Sequence, residues 1–212
     1  MTAVGQPSIA EQCWISNERI KMLEKEPTFE RVDPRVKRTR ALITSAFMEL
    51  LSEKEFQAIS VQDITERAEI NRSTFYAHYV DKHALLETCI AQTFRQELET
   101  KTLNACHYSR ENLRALIITV CEFIAQMNPH RIASDTQFEV LVEKQVRNEI
   151  KKLLELWLVR VPSKTDPATS ITAASWAIYG LALQWNQDKQ KVKVDSFVNQ
   201  ILPQINTILQ LQ

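Results

Sequence analysis

The sequence predicts an all-α protein with a small N-terminal module and a larger helical body. Only two glycines, Gly5 and Gly180, occur in 212 residues, which disfavours sheet folds that need many tight turns. Apolar residues instead recur at helical spacing along most of the chain, as amphipathic helices require. Hydrophobic residues make up 44% of the chain, which is enough to bury a sizeable core.

Capping residues locate four helices in the N-terminal part of the chain. Asp33 stands directly before a proline, a pair that is typical of a helix start. Ser60 and Asp63 have the spacing of a capping box, in which each side chain satisfies an end amide of the same helix. Asn71 and Asp81 are suited to cap the next two helices. The predicted helices run over about 34–53, 60–68, 72–79 and 82–103.

Four longer helices are predicted in the body, separated by polar or proline-containing segments. The first is closed by Asn128 and Pro129, because the residue before a proline avoids helical geometry. A long helix then ends near position 160, and the last two cover about 168–185 and 195–211. A short helix is also expected near 131–134. Pro203 should kink the last helix or break its hydrogen bonding.

Composition excludes several classes of function. Two glycines cannot form a glycine-rich phosphate loop. The four cysteines lie far apart without a C-x-x-C pair, so neither a zinc site nor a redox pair is indicated. Cys106 beside His107 offers two potential ligands, but a buried thiol is the commoner role of such a cysteine. Since no nucleophile with a matching base stands out, we expect no enzyme activity, no metal and no cofactor.

Charge and hydropathy bear on the partners of the chain. Its formal net charge is zero, so any attraction to nucleic acid must be local. Residues 31–48 contain five basic residues and one acidic residue, although many such runs are simply solvated. No signal sequence begins the chain, and no apolar run approaches the roughly 20 residues of a membrane span. We therefore expect a cytoplasmic protein with no membrane partner.

Residues 60–82 have the form of a helix-turn-helix element. A DNA duplex admits one helix in its major groove, so the reading helix must be supported from behind by another. Phe75 and Tyr79 lie on one face of the third helix and are suited to pack against Ile64. Ser73 and Ala77 project the opposite way at 100 degrees per residue. Helix-turn-helix shapes also occur in many proteins that do not bind DNA.

Roles in DNA binding follow from side-chain chemistry. Arg72 is the expected base or phosphate donor, because a guanidinium can pair bidentately with guanine. Ser73 and Thr74 are suited to base edges or phosphate. Tyr76, His78 and Lys82 are expected to fix the DNA backbone, Ser60 to hold another phosphate, and Arg38 and Arg40 to add nonspecific attraction.

Three short patterns in this region are more specific than the helix-turn-helix shape. They are S-V-x-D-I-x-x-x-A at 60–68, N-x-x-T-x-Y-x-H-Y at 71–79 and K-x-x-L at 82–85. Their matching residues are Ser60, Val61, Asp63, Ile64, Ala68, Asn71, Thr74, Tyr76, His78, Tyr79, Lys82 and Leu85. With them, residues 39–85 resemble the DNA-binding domain of the tetracycline-repressor (TetR) family of bacterial transcription regulators. Glu69 stands where that family usually has glycine, and Asn71 where serine is common. A left-handed Glu69 would cost some turn stability.

The resemblance implies an all-α, TetR-like protein of about nine helices. It further implies a homodimer on a double-stranded DNA operator, a usual role as a repressor, and release by a small molecule bound in the second domain. The positions implied to contact DNA are Arg72, Ser73, Thr74, Tyr76, His78 and Lys82. The expected domains are an N-terminal arm or one extra helix at 1–30, a DNA-binding domain at 31–85, and a helical regulatory and dimerisation domain at 86–212.

The second domain offers two sets of candidate residues. A pocket for a small hydrophobic effector would be lined by Phe123, Met127, Phe138, Trp157, Trp176 and Tyr179. A four-helix dimer interface would use Ile171, Ala174, Ile178, Leu181, Trp185, Phe197, Ile201, Ile205 and Ile208. Core packing is the commoner role for each pocket residue taken singly, and it is the less favoured alternative for the interface residues.

The sequence therefore predicts a sequence-specific transcriptional regulator. Within that class, a homodimeric repressor released by an effector is the leading interpretation. The alternative is a helical ligand- or partner-binding protein whose DNA-reading module is not functional, an interpretation favoured by the zero net charge and by Glu69.

Overall fold

The computed structural model describes residues 33–101, 107–127, 136–159, 167–189 and 192–209. Every regular element in these ranges is helical, which confirms the all-α prediction. The helices are α1 Pro34–Glu53, α2 Val61–Arg67, α3 Arg72–Tyr76, α4 Lys82–Lys101, α5 Arg110–Gln126, α6 Thr136–Leu158, α7 Pro167–Gln187 and α8 Val194–Ile208. The expected arm at 1–30 and the short helix near 131–134 lie outside the described residues.

The predicted helix starts are confirmed with one exception. Asp33 and Asp81 each accept a backbone N–H of the following turn at 2.8 Å, and Ser60 with Asp63 forms the expected capping box. Asn71 stands at the N-cap of α3, but its side chain makes no capping hydrogen bond. Its backbone carbonyl accepts the Thr74 N–H at 3.0 Å instead.

The first three helices pack around a small apolar core. Ile43 and Phe47 of α1, Ile64 of α2 and Phe75 of α3 are fully buried there. A 3₁₀ turn at Phe56–Ala58, which the sequence did not predict, adds the buried Phe56 ring edge-on to Phe47, with centroids 6.3 Å apart. Buried apolar residues therefore lie behind α3, and they are continuous with the core of the body.

Arg67 joins α2 to α1. Its guanidinium makes a bidentate pair with the Glu53 carboxylate, both N···O distances being 2.8 Å, and a longer contact of 3.3 Å to Glu49. The hydrogen bonds from Arg67 lower the pKa of Glu53. Because these side chains are substantially exposed, the pair fixes the angle between the helices more than it adds stability.

The body is built around α4, which leaves the N-terminal module and packs along α5 and α6. In turn α7 packs against α5 and α6, and α8 covers α5 and α7. The predicted apolar face of α4, consisting of Leu85, Leu86, Cys89, Ile90 and Phe94, is buried. The expected domain boundary at 85–86 falls inside α4, so one continuous helix belongs to both parts.

Details of the body bear on three further expectations. Cys89 and Cys121 are buried free thiols, and burial raises their pKa to about 11 and about 12, so both stay protonated at neutral pH. Pro203 lies within α8 without ending it, although its missing N–H removes one helical hydrogen bond. None of the described helices is both long enough and apolar enough to cross a bilayer.

Candidate nucleic-acid interface

The short helix α3 has one buried face and one exposed face, as predicted. The helix ends at Tyr76 rather than near position 79 as predicted. Phe75 is fully buried, and Tyr79, just after α3, is 7% exposed, with their ring centroids 5.9 Å apart. Burial raises the pKa of the Tyr79 hydroxyl, and a hydrogen bond with Thr44 of α1 acts in the opposite direction. On the other face Ser73 is exposed and Tyr76 is 56% exposed. The outer face of α3 is thus available and is supported from behind.

The turn between α2 and α3 is a Schellman motif. The N–H of Ile70 donates to the carbonyl of Thr65 at 3.0 Å, and the N–H of Glu69 donates to Glu66 at 3.2 Å, which is the pairing that defines this motif. Glu69 occupies its left-handed position with φ of 54°. Glu69 therefore meets the condition under which the sequence predicts a cost in turn stability, and glycine would fit that position without strain.

Ser60 uses its N–H and its hydroxyl in the capping box at the start of α2. Its N–H and hydroxyl donate to the Asp63 carboxylate at 2.7 and 2.8 Å, and its hydroxyl accepts the Asp63 N–H at 3.1 Å. The Lys54 ammonium lies 3.0 Å from the same carboxylate. Hydrogen bonds from Ser60, then from Lys54, lower the pKa of Asp63 to about 2. Ser60 is exposed, and its hydrogen bonds to Asp63 hold its side chain in place.

Arg72 projects from the first turn of α3 and contacts α2. Its Nη2 donates to the side-chain oxygen of Gln62, and the Gln62 amide nitrogen donates to the Glu66 carboxylate at 2.8 Å. All three side chains are exposed. A guanidinium has five N–H donors, so this contact leaves others for a base or a phosphate.

Lys82 is placed differently from the sequence expectation. Its ammonium donates to the backbone carbonyls of Phe56, Gln57 and Ile59 at 3.0, 3.1 and 2.7 Å, and it lies 4.6 Å from the centroid of the Phe56 ring. Since an ammonium has three N–H donors, these carbonyls match its full capacity. In this geometry Lys82 connects the 3₁₀ turn to α4. A DNA phosphate would have to replace these carbonyls in order to bind the ammonium.

The remaining predicted residues lie around α3 or on α1. Thr74 and His78 are half-buried at the rim of α3, whereas Arg38 and Arg40 are exposed on the first turns of α1. Their DNA contacts stay predictions.

Sequence reasoning missed Gln62, Glu66 and Phe56. The spacing of four between Gln62 and Glu66 places both on one face of α2 and could have drawn attention to them. No comparable local signal existed for Phe56, because its partners Lys82 and Phe138 are distant in the sequence.

The predicted effector-pocket residues are divided among three environments. Phe123, Trp157 and Tyr179 are buried in the body, and Met127 is half-buried at the end of α5. Phe138 contacts the N-terminal module through Phe56, with ring centroids 6.2 Å apart. The Trp176 side chain is 51% exposed and faces the Arg147 guanidinium, 3.4 Å from the ring centroid, so its role in an effector pocket stays a prediction.

The residues predicted to form the dimer interface lie mainly inside the protomer. Ile171, Ala174, Ile178, Ile201 and Ile205 are buried by contacts within the chain. Leu181, Trp185, Phe197 and Ile208 are half-buried, and the Trp185 and Phe197 rings stack with centroids 6.0 Å apart. The apolar faces of α7 and α8 thus pack against each other and against α5 within the protomer, and their role in a dimer stays a prediction.

The outward face of α7 carries a different set of side chains. Thr169, Thr172, Ala173, Trp176, Gly180 and Gln184 are exposed along it. Trp176 and its neighbours Ala168, Thr169, Thr172 and Ala173 line a shallow surface depression of about 410 Å³. A Cβ at Gly180 would meet no atom within 4 Å beyond its chain neighbours and the backbone of its own helix.

Comparison with known proteins agrees with this geometry. A family profile described as bacterial regulatory proteins, tetR family, matches residues 43–89. YxbF of Bacillus subtilis (strain 168), an uncharacterized HTH-type transcriptional regulator, is 33% identical over 113 residues. The match covers 48% of this chain and 29% of YxbF, so the chain accounts for less than a third of that relative's length.

Two solved structures share the fold over most of the chain. A TetR-family regulator from Streptomyces coelicolor A3 has a TM-score of 0.59 at 16% identity, covering 87% of this chain and 99% of its own. A TetR transcriptional regulator from Streptococcus agalactiae 2603V has a TM-score of 0.52 at 20% identity, covering 82% and 96%. The tetR family profile thus matches the helix-turn-helix module at residues 43–89, and the solved structures share the helical fold of the chain as a whole.

Proposed function

We propose that the chain is a sequence-specific DNA-binding transcriptional regulator that reads the major groove with α3. The observation that carries the proposal is that α3 buries Phe75, with Tyr79 of the following turn beside it, and exposes Arg72, Ser73 and Tyr76. A reading helix must be short, rigidly supported and open on its outer side. Arg72 supplies a donor suited to guanine, and Ser73 permits close approach.

Nonspecific affinity comes from the first turns of α1. Arg35, Lys37, Arg38 and Arg40 are exposed there, on a helix that packs against the reading unit through α2. Such a cluster attracts phosphates and releases counterions, so binding should weaken steeply as salt is added. This cluster supplies a local positive charge, although the net charge of the whole chain is zero.

Lys82 serves the interface indirectly in this proposal. Its three carbonyl partners belong to the segment that joins α1 to α2, and its own helix α4 follows α3 closely. The ammonium therefore fixes the position of α4 relative to the reading unit. Ser60, likewise engaged by Asp63, is suited to order the start of α2.

A homodimer on a two-fold operator would place two copies of α3 in successive major grooves, with half-sites roughly 34 Å apart. The outward face of α7 supports such pairing, because small side chains surround the exposed Trp176. Small residues allow a close approach of two helices, and a half-exposed tryptophan is a typical anchor of an interface.

Release of DNA by an effector would act through α4. The Arg95 guanidinium of α4 pairs with the nearly buried Glu149 of α6 through two contacts of 3.2 Å, and Glu87 pairs with Lys144 at 2.8 Å. A ligand that favours another position of α6 would therefore shift α4 and change the spacing of the two reading helices. A regulator that leaves its DNA when an effector binds fits the role of a repressor best.

Fluorescence anisotropy tests the proposed function directly. Full-length protein is titrated against labelled duplexes from the DNA that flanks its own gene, at two salt concentrations, with unrelated duplexes as competitors. We expect saturable, salt-dependent and sequence-selective binding. The Arg72→Ala protein should lose selectivity, whereas Arg110→Ala, which removes an exposed arginine from the body, should not.

The opposite outcome is equally clear. If neither salt concentration gives saturable binding to any of these duplexes, the regulator proposal fails. The chain is then better described as a helical ligand- or partner-binding protein whose module does not read DNA.

A further inference from the structure

We infer that Gln62 and Glu66 of α2 are positioning residues for Arg72, so that the base preference of α3 depends on a pair of side chains in the preceding helix. This inference rests on the proposed function and deepens it. Its basis is the continuous chain of hydrogen bonds from Arg72 to Gln62 and from Gln62 to Glu66.

The chemistry of the three groups allows only one orientation of the Gln62 amide. A guanidinium can only donate hydrogen bonds, and an ionised carboxylate can only accept them. The amide oxygen must therefore face Arg72, and the amide nitrogen must face Glu66, 2.8 Å away. A flipped amide would set donor against donor and acceptor against acceptor. Glu66 thus fixes the acceptor that orients the guanidinium.

Restricting Arg72 matters because an arginine side chain has many rotamers. A bidentate contact with guanine requires the guanidinium in one plane and at one height above the base. An exposed arginine that must be ordered on binding loses conformational entropy at that step. The contact with Gln62 orders one end of the fork beforehand and leaves its other donors for DNA.

A change at Glu66 also distinguishes a positioning role from simple repulsion of DNA phosphates. A carboxylate beside a DNA-binding face repels phosphates, so its neutralisation alone should tighten binding to every sequence. A positioning role predicts another result for Glu66→Gln, namely relaxed preference at the base pair that Arg72 reads. Glu55, which is exposed on the same module, provides the matched control Glu55→Gln for the change in charge.

The test measures base preference with full-length protein. Affinities are compared between the preferred operator and operators that carry single base-pair changes, for wild type, Arg72→Ala, Gln62→Ala, Glu66→Gln and Glu55→Gln. Arg72→Ala should reduce discrimination at one base pair by about tenfold or more. Gln62→Ala should reduce it at the same base pair by about threefold to tenfold. Glu55→Gln should leave it unchanged.

The double variant Gln62→Ala/Arg72→Ala separates positioning from direct reading. If Gln62 acts through Arg72, its removal has no further effect on discrimination once Arg72 is gone. A loss that persists in the Arg72→Ala background would mean that Gln62 reads DNA itself and would overturn the inference. Alanine has a higher helix propensity than glutamine, so α2 should remain folded, and a thermal unfolding curve checks this.

A second readout needs no DNA. In wild-type protein the Nε–H group of Arg72 should have restricted motion in ¹⁵N relaxation, and Gln62→Ala and Glu66→Gln should each increase its motion. If wild type fails to bind DNA but these changes occur, the contact stands and the proposed function fails. If wild type binds selectively, and Gln62→Ala alters neither Arg72 motion nor base preference, the inference fails alone.

Discussion

Glu69 is the residue whose backbone departs most from its ordinary preference. Its φ of 54° is the one positive value among non-glycine residues in the described part of the chain. A residue with a Cβ pays roughly 1–2 kcal/mol for this conformation, whereas glycine adopts it freely but loses more entropy on folding. The balance favours glycine in the Schellman turn between α2 and α3.

We therefore predict that Glu69→Gly stabilises the protein by about 0.5–1 kcal/mol. Urea unfolding followed by circular dichroism would measure the change. Glu69→Ala is the matched control, since it removes the same charge without relieving the backbone. Equal stabilisation by alanine and glycine would show that the charge of Glu69, and not its conformation, carries the effect.

Lys82 supports a second prediction at this scale. Lys82→Met retains most of the aliphatic stem but leaves the carbonyls of Phe56, Gln57 and Ile59 without the ammonium. We expect a loss of about 1–3 kcal/mol in the free energy of unfolding. The salt dependence of DNA binding should keep its slope, because a lost phosphate contact would reduce that slope by about one. Unchanged stability with a smaller slope would instead support the phosphate role predicted from the sequence.

Lys82 and Arg72 mark the limit of prediction from sequence at this scale. Helical spacing correctly separated the buried Phe75 and Tyr79 from the exposed residues of α3. It could not say where a long charged side chain ends, because the Lys82 partners lie 23 to 26 positions away and the Arg72 partner lies 10 positions away.

At the scale of the element, the start of α2 is sensitive to pH. Asp63 has an ordinary pKa of 3.8 that is lowered to about 2 by the Ser60 hydrogen bonds and by Lys54. A lowered folded-state pKa means that the carboxylate stabilises the fold at pH values above about 4. That contribution is lost as the pH falls from about 4 towards 2, where the folded protein also takes up the proton.

We predict that Asp63→Asn destabilises the protein at neutral pH and that the difference from wild type shrinks on acidification. Unfolding midpoints in urea at several pH values between about 6 and 2 would measure it. Because Glu53 also has a lowered pKa, the comparison uses the difference between the two proteins. A difference that stays constant across this range would show that Asp63 acts only through its shape.

Elements whose signals are local were predictable, and those defined by distant contacts were not. The capping box and the carboxylates before α1 and α4 involve residues two or three positions apart, so sequence alone located them. The 3₁₀ turn at Phe56–Ala58 exists because its ring packs on Phe47 and its carbonyls bind Lys82. Three residues carry too little periodicity to reveal such a turn.

At the scale of the whole molecule, α4 and an aromatic contact connect the N-terminal module to the body. Phe56 of the N-terminal module meets Phe138 of α6, beside the Lys82 ammonium. The apolar residues of α7 and α8 were recognised in the sequence, but helices with broad apolar faces do not reveal which face a second copy covers. Because Ile178 and Ile205 are buried within the protomer, the proposed pairing surface is the outward face of α7.

Gly180 allows the proposed dimer to be tested without disturbing the protomer. Nothing lies within 4 Å of a Cβ built there, so both Gly180→Ala and Gly180→Arg should fold. Each should gain roughly 0.5–1 kcal/mol in helix propensity over glycine. If the outward face of α7 pairs two copies closely, arginine should separate them, whereas alanine should be tolerated.

Light scattering coupled to size-exclusion chromatography would measure this at several concentrations, with unfolding curves for both variants. We expect a dimer for wild type and Gly180→Ala, and a monomer of undiminished thermal stability for Gly180→Arg. The arginine variant should also bind a two-half-site operator more weakly, by the factor that simultaneous binding of two reading helices contributes. A Gly180→Arg protein that remains dimeric would place the interface elsewhere than on this face of α7.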